Sequence, residues 1–199
     1  SWLTFLGRGP GCATVAPAIT VDLPIDDPNA KWEDHVRCVE RAADGSVGPV
    51  IVGHSRAGRL LPHVVAGGAY AHAVYLCVAV PPIAGAPPRR CDRLPMLLDL
   101  PPAERDLRGR LWCPRERAER FFADCSRSDQ EWAQARLRPQ FDIRYPPPST
   151  WPSASATYVA CRDDRAVNLE WARGVSLEVF DQPAGEQADA VVVVRGDAT

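Results

Sequence analysis

The sequence predicts an α/β domain of three layers, in which helices cover a mainly parallel sheet and a helical insertion interrupts the chain. Apolar, β-branched runs at 50–52 and 74–80 are typical of strands that are buried on both faces of a parallel sheet. Segment 31–43 places apolar residues at helical spacing among charged ones, which predicts an amphipathic helix on the sheet. Strand and helix patterns alternate, and this alternation favours parallel strands joined by helices.

The remaining elements are predicted from the same periodicities. Glycine pairs and Asp-Gly turns end the helices. The predicted strands are 2–6, 19–23, 50–52, 74–80, 157–161, 177–180 and 191–194, and the predicted helices are 31–43, 56–65 and one that starts at 169–174.

Residues 82–150 differ from the rest of the chain in composition. Prolines cluster there, and charged, helix-favouring stretches at 103–110, 115–123 and 129–137 lie between them. We therefore predict a helical cap over 82–150, inserted into a core formed by 1–81 and 151–199. A cap of this kind covers a pocket and selects the substrate.

Composition excludes several classes of function. The 199 residues are 46% hydrophobic and 24% charged, as in an ordinary soluble domain, and the net charge of −2 favours neither nucleic acid nor an anionic membrane as partner. No apolar run approaches the roughly 18 residues of a membrane span. Lys31 is the only lysine and there are 20 prolines, which indicates a GC-rich bacterial genome.

Seven cysteines are an odd number, and the sequence has neither a Cys-x-x-Cys pair nor a Cys/His cluster. This pattern predicts reduced thiols, a cytoplasmic protein, no metal site and no cofactor. Cys77 and Cys161 lie in predicted strands, where cysteine acts as a small hydrophobic residue.

The most informative segment is 50–58, Val-Ile-Val-Gly-His-Ser-Arg-Ala-Gly. A buried strand runs into a glycine, and a serine follows two positions later at the predicted start of a helix. This pattern predicts a sharp strand–turn–helix elbow with Ser55 at its tip. Small residues are needed on either side of such a turn, and Gly53 and Ala57 occupy those places. Arg56 follows the serine and is a candidate for binding a carboxylate or enolate.

The elbow motif, with Pro62 in the next helix, resembles the α/β-hydrolase superfamily. Within it the chain is similar to the bacterial esterase-like branch related to plant hydroxynitrile lyases and methyl esterases. Segments 19–24, 74–81 and 158–167 resemble neighbouring strands of that branch, in the same order. The resemblance implies Ser55 as nucleophile, Asp164 or the adjacent Asp163 as acid, and the loop around Gly9 as part of the oxyanion hole.

The same resemblance implies a histidine after the acid, and the sequence has none there. All four histidines precede residue 73. Glu186 stands about where the family places its base, and it is a candidate replacement, with an exposed loop residue as the alternative. Each of the other candidates also has a structural alternative to its functional role. Ser55 is then a retained element of the fold, Asp164 caps a loop and Arg56 is a surface residue.

These observations favour an enzyme of small-molecule metabolism, with secondary metabolism as one option, that works without ordinary triad hydrolysis. A lyase, elimination or cyclisation step fits this description, because it dispenses with an acyl-enzyme. The alternatives are a serine esterase with a relocated base and an inactive homologue that binds a ligand or partner. The valine run 191–194 predicts an edge strand that pairs two copies into a homodimer.

Overall fold

The computed structural model describes residues 3–4, 19–180 and 188–194, and the elements below are those of these residues. Two 3-10 helices, Ser55–Arg59 and Arg90–Arg93, accompany the strands and α-helices. The strands are β1 Leu3–Thr4, β2 Thr20–Val21, β3 Val50–His54, β4 His72–Leu76, β5 Glu104–Arg105, β6 Leu111–Trp112, β7 Ala156–Cys161 and β8 Ala188–Val194. The helices are α1 Trp32–Ala43, α2 Leu61–Gly67, α3 Arg115–Phe121, α4 Arg127–Gln134 and α5 Leu169–Val179.

Six of the described strands form one sheet in the order β2-β1-β3-β4-β7-β8. Strands β3, β4, β7 and β8 are parallel, whereas β1 is antiparallel to both of its neighbours. The predicted mainly parallel sheet is therefore confirmed. Parallel strands point the same way, so their carboxyl ends lie along one edge of the sheet. The residues that follow β3, β4 and β7 are brought together at this edge, formed by the carboxyl ends of the strands.

One face of this sheet forms the core. Ile51, Tyr75 and Tyr158 alternate with less buried residues along their strands and are almost fully buried. Leu61 of α2 packs against this face at Gly53, and Phe180 at the end of α5 stacks 5.0 Å from the Tyr75 ring. Two helices far apart in sequence thus cover the strands that carry the elbow.

Several predicted boundaries are wrong. The predicted helix 56–65 is divided into the 3-10 helix Ser55–Arg59 and α2, and two other differences have a clear local reason. Strand β4 ends at Leu76 rather than at residue 80, because Cys77 has a φ of +45° and turns the chain. The predicted strand 177–180 belongs instead to α5, whose first turn is capped by Asn168. Trp171 and Val175 of α5 are buried at helical spacing, and this packing continues the helix to Val179.

The insertion 82–150 contains less helix than its charges suggest. Helices α3 and α4 confirm the predictions at 115–123 and 129–137, but 103–110 holds the first strand and turn of the β5–β6 hairpin. Asp106 accepts hydrogen bonds from the backbone N–H groups of Arg108 and Arg110, and Gly109 takes a φ of +77°. These contacts make a tight turn, which a helix does not allow. The division into core and cap stays a prediction.

The valine run was correctly predicted to be a strand. Strand β8 pairs with β7 alone among the described strands, so it is an edge strand, with one side left unpaired by them. A homodimer formed through this edge stays a prediction. Over the described residues, every helix is too short or too polar to traverse a bilayer.

Helix α1 carries a buried histidine that makes its packing sensitive to pH. His35 is 1% exposed, and its Nδ1 lies 2.7 Å from the hydroxyl of Tyr145. Burial lowers the pKa of His35, because the charged ring loses its hydration. The ring is therefore neutral in the folded protein at neutral pH.

We expect this ring to make the protein sensitive to mild acid. The unfolded chain binds a proton at His35 near pH 6.5, whereas the folded protein does so only at lower pH. The stabilising contribution is thus complete above about pH 6.5 and is lost as the pH falls through the lower, folded-state pKa. Urea denaturation of His35→Gln between pH 8 and 5 should show a weaker pH dependence than the wild type. His63→Gln is the control, and equal slopes in the wild type and His35→Gln would contradict the assignment.

Candidate active site

The predicted elbow is present at the end of β3. Ser55 directly follows the strand, starts a 3-10 helix and has a φ of +55°, a left-handed conformation that is costly for a residue with a Cβ. The backbone N–H of Ala79 donates to the Ser55 carbonyl oxygen at 3.2 Å, which connects the turn to the segment that follows β4. The serine is exposed, so its side chain is available at the sheet edge.

Two glycines allow this turn to pack closely. A Cβ at Gly53 would lie 2.6 Å from Leu61 Cδ1, and a Cβ at Gly58 would lie 2.4 Å from Val78 Cβ. Both separations are far below contact distance, so neither position accepts a larger residue without movement. The packing explains the small residues that the sequence places on either side of Ser55.

Asp164 lies at the same edge, three residues after the end of β7. Its Oδ1 accepts hydrogen bonds from the N–H groups of Ala166 at 2.7 Å and Val167 at 2.9 Å. Asp164 is half-buried whereas Asp163 is exposed, so the structure separates the two predicted alternatives. The hydrogen bonds are those of a loop cap, and the role of Asp164 as an acid stays a prediction.

None of the four histidines, all of which lie in the described part of the chain, is hydrogen-bonded to Ser55. His63 Nε2 lies 2.9 Å from the Pro146 carbonyl oxygen, and His72 contacts two hydroxyls near the start of β4. Partial desolvation lowers the pKa of His54, and the negative charge of Asp164 opposes that shift. The described structure thus brings Ser55 and Asp164 to one edge, where no imidazole is hydrogen-bonded to Ser55 among the described residues.

Arg56 is held by the insertion. It forms an ion pair with Asp142 and also donates from Nη2 to the Ile143 carbonyl oxygen at 3.0 Å. The hydrogen bond from Arg56 lowers the pKa of the Asp142 carboxyl. Asp142 in turn lines an open cleft of about 530 Å³ between α1 and segment 141–144. Arg56 therefore braces the elbow against the insertion, and its binding of substrate stays a prediction.

Gly9 and Glu186 lie outside the described residues, and both assignments stay predictions.

The structure also shows a pair of cysteines that the sequence did not indicate as a site. The sulfurs of Cys77 and Cys161 are 2.8 Å apart, and both lie beside Asp164. The hydrogen bond from Cys77 lowers the pKa of the Cys161 thiol, whereas that same bond and burial raise the pKa of Cys77. The two residues end neighbouring strands but are 84 positions apart in sequence. Only the pairing of β4 with β7 brings them together, so no local motif could have revealed them.

The elbow, the parallel sheet and the acid at its edge define an α/β protein built around a serine turn. The family model described as "Alpha/beta hydrolase family" matches residues 1–198, and the chain belongs to this family. A search of curated proteins finds no match. The predicted superfamily is thereby confirmed.

Solved structures agree with this fold. The chain is similar to polyneuridine aldehyde esterase, with a TM-score of 0.61, 16% identity, and coverage of 88% of this chain and 77% of that chain. It is similar to a methylesterase from Arabidopsis, with a TM-score of 0.56, 12% identity, and coverage of 92% and 77%. It is also similar to tomato methylketone synthase I, solved as a histidine-to-alanine variant with β-ketoheptanoate, with a TM-score of 0.55, 13% identity, and coverage of 92% and 78%. At these identities the likeness shows the fold alone.

The packing at Gly58 gives a direct test of the elbow. We expect Gly58→Ala to lower the free energy of unfolding by about 1–3 kcal/mol, because its Cβ would meet Val78 and the Ala79 carbonyl. Gly67→Ala is the matched control, since its Cβ would meet only the flexible end of Glu40 at 3.2 Å. Urea denaturation measures both variants. Equal stability of the two would show that the turn is not tightly packed.

Proposed function

We propose that this chain is an α/β-hydrolase-fold enzyme of small-molecule metabolism, primary or secondary, whose Ser55 acts on a carbonyl compound without ordinary triad hydrolysis. The observation that carries the proposal is the strained serine. Backbone strain of this kind costs about 1–3 kcal/mol and persists where function requires it. Glycine adopts a φ of +55° freely, so the presence of a serine at this place supports a role for its hydroxyl.

The reaction class follows from the groups around the hydroxyl. Acyl transfer needs a base that takes the serine proton and returns it to the leaving group. In the described structure no imidazole bonds to Ser55, and the sequence has no histidine after His72. In the proposed reaction the hydroxyl keeps its proton and acts as a hydrogen-bond donor to a substrate oxygen. This arrangement suits a lyase, an elimination or a cyclisation, in which negative charge develops on that oxygen.

A β-keto acid is the first substrate class to test. The tomato methylketone synthase variant that lacks a histidine was solved with β-ketoheptanoate, so that protein holds a β-keto acid without the replaced residue. In a decarboxylation the bond to the carboxylate carbon breaks, carbon dioxide leaves, and the electron pair forms an enolate that a proton then quenches. A hydrogen bond from Ser55 to the ketone oxygen would stabilise that enolate.

Asp164 shares the edge with Ser55, and we propose that it contributes negative charge there rather than the orientation of a histidine. The proposal places the protein in the reducing cytoplasm, since an odd number of cysteines without a pairing motif favours free thiols. A small molecule is the expected partner. No cofactor is included in the proposed reaction.

Turnover measurements test this function. We expect conversion of β-ketoheptanoate, measured as the release of carbon dioxide, and little hydrolysis of short p-nitrophenyl esters. Ser55→Ala should lower kcat/KM by about 10–100-fold, because one hydrogen bond to a developing charge is lost. Ser46→Ala, in an exposed turn, is the control and should behave as the wild type.

A fluorophosphonate probe distinguishes the competing functions. Stoichiometric labelling of Ser55 together with rapid ester hydrolysis would identify an ordinary serine hydrolase and overturn the proposal. No conversion of any substrate, combined with a rise in Tm when β-ketoheptanoate is added, would identify an inactive binding homologue. Full β-keto acid turnover by Ser55→Ala would remove the serine from the reaction.

A further inference from the structure

Three potential metal ligands converge beside the elbow. Cys77 follows β4, Cys161 ends β7 and Asp164 lies in the loop after β7. One ligand atom from each residue lies within 4.8 Å of the other two. Leu76, the residue before Cys77, pairs in register with His54, the residue before Ser55, so the cluster lies next to the serine along the sheet edge.

The surroundings of the cluster suit a bound ion. The three residues surround a tight space with no room for a water molecule, and its other walls are mainly apolar, from Tyr158, Ala160, Val167, Leu169 and Ala172. Cys77 is buried, whereas Cys161 and Asp164 are half-buried, which leaves an approach from solvent. Within the described residues, no ion pair joins Asp164 to an arginine or to Lys31. The cluster thus concentrates potential negative charge without a paired cation.

The carboxylate is already oriented. The N–H groups of Ala166 and Val167 both donate to Asp164 Oδ1, and this fixes the carboxyl group with respect to the two sulfurs. Hydrogen bonds of this kind position ligands in metal sites and raise their affinity. The backbone at Cys77 is equally fixed, because its N–H donates to the Val159 carbonyl oxygen at 2.8 Å.

We propose that Cys77, Cys161 and Asp164 bind a thiophilic divalent cation of the zinc class, with water completing the coordination as the sulfurs move apart. Two thiolates and a carboxylate are a donor set that Zn²⁺ accepts. Binding releases the two thiol protons to solvent, so no electrons are transferred. The sulfurs have to separate by roughly 1 Å to reach the spacing set by Zn–S bonds of about 2.3 Å in a tetrahedron.

The main competitor is a disulfide between the same two cysteines. Its S–S bond of about 2.05 Å needs a shift of similar size in the opposite direction. A disulfide uses only the sulfurs, whereas the observed cluster adds a carboxylate that its own loop aims at them. A cation accounts for all three groups, and this is why we favour it.

Cobalt substitution tests the site independently of any enzyme activity. Reduced, chelator-treated protein is titrated with Co²⁺ and then with Zn²⁺. We expect one Co²⁺ per chain, thiolate charge-transfer absorption, the visible bands of a tetrahedral ion, and displacement by Zn²⁺. Cys161→Ser should lose much of the charge-transfer band, and Asp164→Asn should bind at least about tenfold more weakly. Cys125→Ser, with an exposed cysteine outside the cluster, should match the wild type.

Each outcome decides the proposal. Circular dichroism first establishes that Cys161→Ser and Asp164→Asn are folded, and Cys77→Ser is avoided because Cys77 is buried with a positive φ. Absence of thiolate-to-cobalt absorption in the reduced wild type overturns the site. A spectrum that neither variant changes also overturns it. A mass two units lower after purification without reductant, with Cys77 and Cys161 linked and no metal binding after reduction, assigns the pair to the disulfide instead.

Discussion

The close packing beneath Ser55 is the constraint on which the rest of the site depends. Gly53 and Gly58 bring the backbone against Leu61 and Val78, so the chain has to leave β3 and enter a helix within a few residues. That reversal holds Ser55 in a left-handed conformation at the end of a parallel strand. The strained backbone at this serine thus fixes the position of the candidate nucleophile.

The parallel register extends this constraint to the other functional groups. Strands β3, β4 and β7 run in the same direction, so whatever follows each of them reaches the same edge. Ser55, Cys77 and Asp164 are neighbours for this reason alone. Arg56 adds a second restraint, because its contacts with 142–143 hold the insertion beside the elbow. The sheet therefore brings the candidate site residues together, and Arg56 joins the insertion to the elbow.

The sequence predicted those parts of the structure that local patterns determine. The elbow, α1 and β7 have strong periodicity or an unusual spacing of small residues, and their positions are confirmed within one or two residues. The predictions failed where tertiary contacts decide. Residues 177–180 alternate like a strand, yet Phe180 packs on Tyr75 at the end of a helix. Residues 103–110 are charged like a helix, yet Asp106 and Gly109 form a turn.

The cysteine pair shows why the candidate site was harder to predict than the fold. In sequence, Cys77 and Cys161 are small apolar residues in separate strands, and only strand pairing makes them a pair. Their position beside Asp164 makes that carboxylate a candidate metal ligand as well as a candidate acid. Asp164 Oδ1 accepts the two loop N–H groups, and the sulfurs of Cys77 and Cys161 lie within 4.8 Å of a carboxylate oxygen. The other oxygen can still accept a hydrogen bond, so the cluster adds a second candidate role to Asp164 without excluding its role as an acid.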